Sequence, residues 1–202
     1  MQIEFNKNIL NQTLQLLGNI LDRDEQADFI HIIVSGGSSL IMLGLVSRTT
    51  RDMDIIAYLS NEKNNSNPLQ YAKTLPEFLM NAASQVAADL GLDEKWLNTG
   101  PKDLLQFGLP CGFLERLHTQ SYGKKLTVSF VDRIDQIHFK TYAAVDSGPG
   151  RHVDDLLALN PSGREMEQAA IWVLHQDPSP EFKSLLIKML KVLHYESVAE
   201  KL

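Results

Sequence analysis

A single cysteine, Cys111, stands among 202 residues, which excludes an internal disulfide and any multi-cysteine metal cluster. Its lack of a sequence-near histidine also counts against a cysteine nucleophile. No stretch is long and apolar enough to be expected to span a bilayer. The opening residues MQIEFNKNILNQ lack the basic-then-apolar order of a secretory signal, so a cytoplasmic chain without a membrane partner is expected. Positive charge is scarce: 19 Lys and Arg against 25 Asp and Glu leave a net charge of −6, which rules out a general attraction to nucleic acid but not a local basic patch. Histidines 31, 118, 138, 152, 175 and 194 show neither His-x-x-x-His nor His-Glu-x-x-His spacing, so zinc chemistry is not expected. No internal repeat is present, and the one biased tract, Asn61 to Pro68 (NEKNNSNP), reads as an exposed loop.

What is there has a clear order. Apolar residues at near-helical spacing predict an amphipathic helix over 8–22. A strand at 29–35, a helix at 38–46 and a strand at 52–59 follow. The next expected elements are a helix over 76–90 stopped by Gly91, an irregular stretch from Trp96, and strands near 115–121 and 125–131 joined at Gly123. Helices at 134–146, 152–159 and 162–176 complete the pattern with a last one reaching about residue 198. Ser162 and Glu165 have capping-box spacing at the start of the third. This order predicts an α+β fold, a small mixed sheet flanked by helices, with a helical C-terminal half. The expected division is 1–132 for the α+β domain and 133–202 for the helical region, the two forming separate domains or one.

The chemistry-bearing residues are concentrated between the first two strands. Gly36-Gly37-Ser38-Ser39 follows the apolar run FIHIIV, and Asp52-Met53-Asp54 opens the next strand. Side chains alternate along a strand, so Asp52 and Asp54 project to the same face. Paired carboxylates repel unless a cation lies between them, and their hard oxygens suit Mg²⁺. The ordinary alternative is a solvated strand start. Glycines let a backbone approach phosphate oxygens without a Cβ in the way, and a helix start offers N–H groups to them. Ser38 is expected to donate its hydroxyl to a phosphate or to cap the helix, whereas the plain reading of Gly36, Gly37 and Ser38 is a strand-to-helix turn.

The stretch GGSSLIMLGLVSRTTRDMDII resembles the signature of the nucleotidyltransferase superfamily, nearest to the bacterial AbiE-type toxin nucleotidyltransferases, with Arg48, Thr50, Asp52 and Asp54 on an R-x-T-x-D-x-D pattern. LGLDEKWLN (Leu90 to Asn98) and HFKTYAAVDSGPGRHVDDLLAL (His138 to Leu159) are similar to later parts of that family, so the likeness runs from about Phe29 to Trp172. The resemblance implies a nucleotidyltransferase fold and a Mg²⁺-dependent transfer of an NMP from an NTP to a macromolecular acceptor, tRNA or protein. It also implies a toxin–antitoxin or phage-defence setting with an antitoxin partner. Asp52 and Asp54 would be the metal-binding catalytic pair. Gly36, Gly37, Ser38, Arg48, Thr50 and Lys140 would bind nucleotide, with either Arg48 or Arg51 neutralising the triphosphate. Lys140, on an apolar helix face, must reach a phosphate, a carboxylate or water. Asp155 is expected to pair with Lys140 or Arg151, and Trp96 and Asn98 to form an anchored turn.

One departure stands out. Many superfamily members carry a third carboxylate on a later strand, while the matching strand here, Leu126 to Phe130, has no acid; Asp132 and Asp135 lie just beyond. The alternative function is therefore a module of the same fold that binds nucleotide or a partner without turnover.

Overall fold

The computed structural model describes residues 3–60, 69–100 and 108–202. They form two compact units, Met1–Asp132 and Arg133–Leu202.

The first unit is a mixed sheet with helices. Helix α1 (Lys7–Arg23) is capped by Asn6, whose side chain accepts the Ile9 N–H. Strand β1 (Ile30–Ser35), helix α2 (Gly36–Met42) and strand β2 (Met53–Leu59) follow, then β3 (Leu69–Tyr71), α3 (Glu77–Leu90), β4 (Leu97–Thr99), β5 (His118–Ser121) and β6 (Leu126–Phe130). The path across the sheet is β3-β2-β1-β6-β5, with β4 on the same side of β2 as β3. β1 is antiparallel to β2 and parallel to β6. Leu10, Leu14, Leu17 and Leu21 of α1 and Leu79, Ala83 and Val86 of α3 form the core with Ile32, Val34, Met53, Ile55, Val128 and Phe130 of the sheet. Burial of such a set is the main source of stability, each large side chain contributing about 1.5–3 kcal/mol.

Two sequence expectations change here. The helix expected over 38–46 ends at Met42, because Gly44 turns to φ +70° and Leu45 bonds back to Leu40. The expected irregular stretch at Trp96 is a strand, β4, which pairs in parallel with β2. Asn61 to Pro68 lies outside the described residues.

A bulge decides which way β2 faces. Ala57 pairs with Ile33 but Ile55 pairs with Val34, so Ile56 is the extra residue. Continuing the alternation from Ala57 without it would bury Asp54 and turn Ile55 outward. With the bulge, Met53 and Ile55 enter the core, and Asp54 goes to the opposite face.

The second unit is helical: α4 (Arg133–Ser147), α5 (Arg151–Leu159), α6 (Gly163–Gln176), α7 (Pro180–Val192) and α8 (Glu196–Ala199). The capping box at Ser162 and Glu165 forms as its spacing predicts. Arg133 donates to the Leu159 and Asn160 carbonyls and to Glu165, tying the end of α5 to the start of α6. The last helix, expected to reach about 198, breaks after Val192, where His194 adopts φ +63°; α8 is a separate short turn.

Among the described residues, no helix is long and apolar enough to cross a membrane.

Candidate nucleotide and metal site

The end of β1, the start of β2 and the end of β4 meet at one place in the first unit. Ser35 is the register partner of Asp54 across β1 and β2, so Gly36 comes next to the Asp54 carboxylate. A Cβ added at Gly36 would lie 3.1 Å from Asp54 Oδ2, and Gly36 holds φ +74°, a left-handed conformation that L side chains disfavour. A Cβ at Gly37 would lie 3.0 Å from Thr50 Oγ1 and 3.1 Å from both Arg48 guanidinium nitrogens. These glycines leave a space edged by a carboxylate, a hydroxyl and a cation.

The loop 48–52 is held from both sides. Phe5 and Thr50 exchange backbone hydrogen bonds of 2.6 and 3.1 Å, which buries Thr50. Thr50 Oγ1 then donates to Asp52 Oδ1 at 2.9 Å. Glu4 accepts from Thr49 Oγ1 at 2.5 Å and from Arg51 Nε at 3.0 Å. Arg51 is thus drawn to Glu4, while Arg48 Nη1 donates to the Thr49 carbonyl with its guanidinium beside Gly37. Of the two arginines the resemblance offers for the triphosphate, Arg48 is the one beside the glycine turn. Asp52 is exposed and Asp54 half-buried, the exposure a cation-binding pair needs.

The serines behave differently. Ser38 is buried and donates to the Ser35 carbonyl at 3.3 Å, so its hydroxyl faces the backbone of its own turn. The helix cap position belongs to Ser35, which makes no side-chain capping bond, rather than to Ser38. Ser39 donates to the Val34 carbonyl at 2.6 Å and accepts the Val131 N–H at 3.1 Å, stitching α2 to β1 and β6.

Gly100, which sequence reasoning did not single out, and Trp96 complete the site. Gly100 donates its N–H to the Ile55 carbonyl at 2.8 Å, and a Cβ there would lie 2.8 Å from Asp54 Cβ. Trp96, fully buried as the anchor expected of it, donates its indole N–H to the Ala83 carbonyl at 3.0 Å, stacks edge-on to Phe5 and receives the Met53 N–H on its carbonyl at 2.6 Å. It thereby fixes both β4 and the N-terminal segment against β2.

No acid appears on β6. Ser129 is buried there and shares its hydroxyl with His31 Nε2 at 2.8 Å and Thr119 Oγ1 at 2.7 Å. Burial pushes the His31 pKa down, which keeps the ring neutral at pH 7. Asp132, just past β6, is 2.7 Å from His118 Nε2. Asp135 is buried in α4 of the second unit. No cluster of three or more His, Cys, Asp or Glu side chains suited to a metal is found among the described residues.

Lys140 belongs to the second unit. Its ammonium lies 2.7 Å from Asp155 Oδ2, and both side chains are almost fully buried. The carboxylate partner expected for it is thus present; Arg151 is exposed.

No family model, curated protein or solved structure matches this chain.

Proposed function

We propose that the first unit is a nucleotidyltransferase domain that binds an NTP together with a divalent cation, Mg²⁺ by its oxygen donors, and moves the NMP to a hydroxyl of a macromolecule. The observation carrying this reading is the pair of glycine spaces, one bounded by the Asp54 carboxylate and the other by Arg48 and Thr50. A Cβ at either position would crowd these groups and stand between them and the backbone N–H groups that phosphate oxygens would use. Asp52 and Asp54 would hold the cation, whose chemistry when bound is to neutralise phosphate charge and acidify an attacking hydroxyl.

The chain's own residues have defined tasks in this reading. Gly36 and Gly37 let the phosphates reach the backbone, Arg48 offsets the charge of the departing pyrophosphate, and Thr50 holds Asp52 in place. The acceptor hydroxyl gives up its proton to water as its oxygen bonds to the α-phosphorus, the bond from that phosphorus to the bridging oxygen breaks, and pyrophosphate leaves. A tRNA or protein acceptor, and a toxin role opposed by an antitoxin, follow from the sequence resemblance.

A transfer assay tests the proposal: each α-labelled NTP in turn, Mg²⁺, and total RNA plus protein as acceptor. Label is expected to move with the natural chain and not with Asp52→Ala/Asp54→Ala. Equal transfer by both would overturn it. A second reading, nucleotide binding without turnover, is favoured by the acid-free β6 strand; it predicts Mg²⁺-dependent thermal stabilisation by NTP with no release of pyrophosphate.

A further inference from the structure

β4 reaches the candidate cation site from the side opposite β1. Its parallel register with β2 sets Asn98 beside Asp54 and Thr99 beside Ile55. Partners across neighbouring strands point to the same face, and the strands lie about 4.8 Å apart. The Asn98 carboxamide therefore emerges next to the Asp54 carboxylate, on the face away from the core. The approach at this point is close, because the Gly100 N–H bonds the Ile55 carbonyl and no Cβ separates Gly100 from Asp54. Asn98 is partly exposed, and its amide nitrogen leans 3.5 Å toward the Lys95 carbonyl. That contact directs the amide nitrogen back along the chain and leaves the carbonyl oxygen without a hydrogen-bond partner among the described residues.

We infer that Asn98 Oδ1 is the third protein donor of the cation site formed by Asp52 and Asp54, standing in for the acid that β6 lacks. The assignment rests on the nucleotidyltransferase reading above and adds to it. An amide oxygen is a hard donor that divalent cations accept, and protein kinases hold Mg²⁺ with an asparagine beside an aspartate. The substitution changes the charge of the donor set. Two carboxylates and an amide carry two negative charges, which one divalent cation balances. An amide also takes up no proton at neutral pH, so this set binds the cation without supplying a base for the acceptor hydroxyl.

Direct titration with Mn²⁺, following the free ion by electron paramagnetic resonance, tests the donor without any turnover. The natural chain should bind one Mn²⁺, and Asp54→Ala should abolish binding. Asn98→Ala should weaken it by about tenfold, the scale on which even partners outside a ligand set act. Asn98→Asp, which keeps the shape and adds a charge, should tighten it by a similar factor. Metal-free melting temperatures control for folding; if Asn98→Ala does not fold, the Asp variant decides by tightening or failing to. Unchanged Mn²⁺ affinity in the Asn98 variants, with Asp54→Ala still defective, overturns the donor assignment and leaves the cation site standing. No Mn²⁺ binding by the natural chain, or binding untouched by Asp54→Ala, overturns both.

Discussion

Asp54 stands between two residues that have no side chain, Gly36 at the end of β1 and Gly100 at the end of β4. The glycines of this site are not equivalent under substitution. At Gly100 the obstacle to a methyl group is Asp54 Cβ, 2.8 Å away, which moves only if the strand moves. At Gly37 the obstacles are the Thr50 hydroxyl and the Arg48 guanidinium at 3.0–3.1 Å, which need give only a few tenths of an ångström. Gly37→Ala is therefore expected to leave the melting temperature near that of the natural chain while weakening Mg²⁺-NTP affinity by about tenfold, equivalent to about 1.4 kcal/mol, as read by calorimetric titration. Gly36→Ala must also hold a left-handed backbone, at φ +74°, and should lower unfolding stability in urea by about 1–2 kcal/mol. The glycine turn and the two aspartates were legible in the sequence because strand alternation and turn chemistry are local. Gly100 was not, and Asn98 was read only as part of an anchored turn, since their place beside Asp54 comes from a pairing with β2 that no local spacing announces. The bulge at Ile56 was equally hidden, although it aims the Asp54 carboxylate.

Elements in the helical unit stand or fall by their ends. Glu165 accepts from Arg133 and from the Ser162 N–H and hydroxyl. The Arg133 hydrogen bond, helped by Ser162 and opposed by burial, holds the Glu165 pKa at about 2 against an ordinary 4.5. A carboxyl with a depressed folded pKa stabilises fully above its unfolded value and loses that contribution as pH falls toward the folded one. Unfolding stability should thus decline between about pH 4.5 and pH 2, and Glu165→Gln should flatten that part of the profile. Ser162→Ala should cost about 1 kcal/mol at pH 7 by removing the cap. This capping box was plain from sequence. The break after Val192 was not, because His194 takes its positive φ with no glycine or proline to mark it.

At the scale of the whole molecule, charge and burial make separate demands. A net charge of −6 and a sequence isoelectric point near 5.5 predict a turbidity maximum close to that pH, where self-repulsion vanishes. The strongly buried ion pair of Lys140 with Asp155 tests whether the lysine serves the fold or a nucleotide. Lys140→Met takes the cation away from a buried carboxylate and should cost about 3–5 kcal/mol, whereas Lys140→Met/Asp155→Leu should recover most of it. If the double variant keeps Mg²⁺-dependent NTP affinity, the lysine is a structural partner; if it folds but loses that affinity, the lysine contacts the nucleotide. Thermal melts with and without nucleotide separate these outcomes. The sheet pairing has a consequence in time. β1 is parallel to β6, with Ile30 set against Leu126. A ribosome delivers β1, the glycine turn and both aspartates long before the strand that completes the sheet beside them. The early segment must wait with one hydrogen-bonding edge open, so this unit closes only late in synthesis.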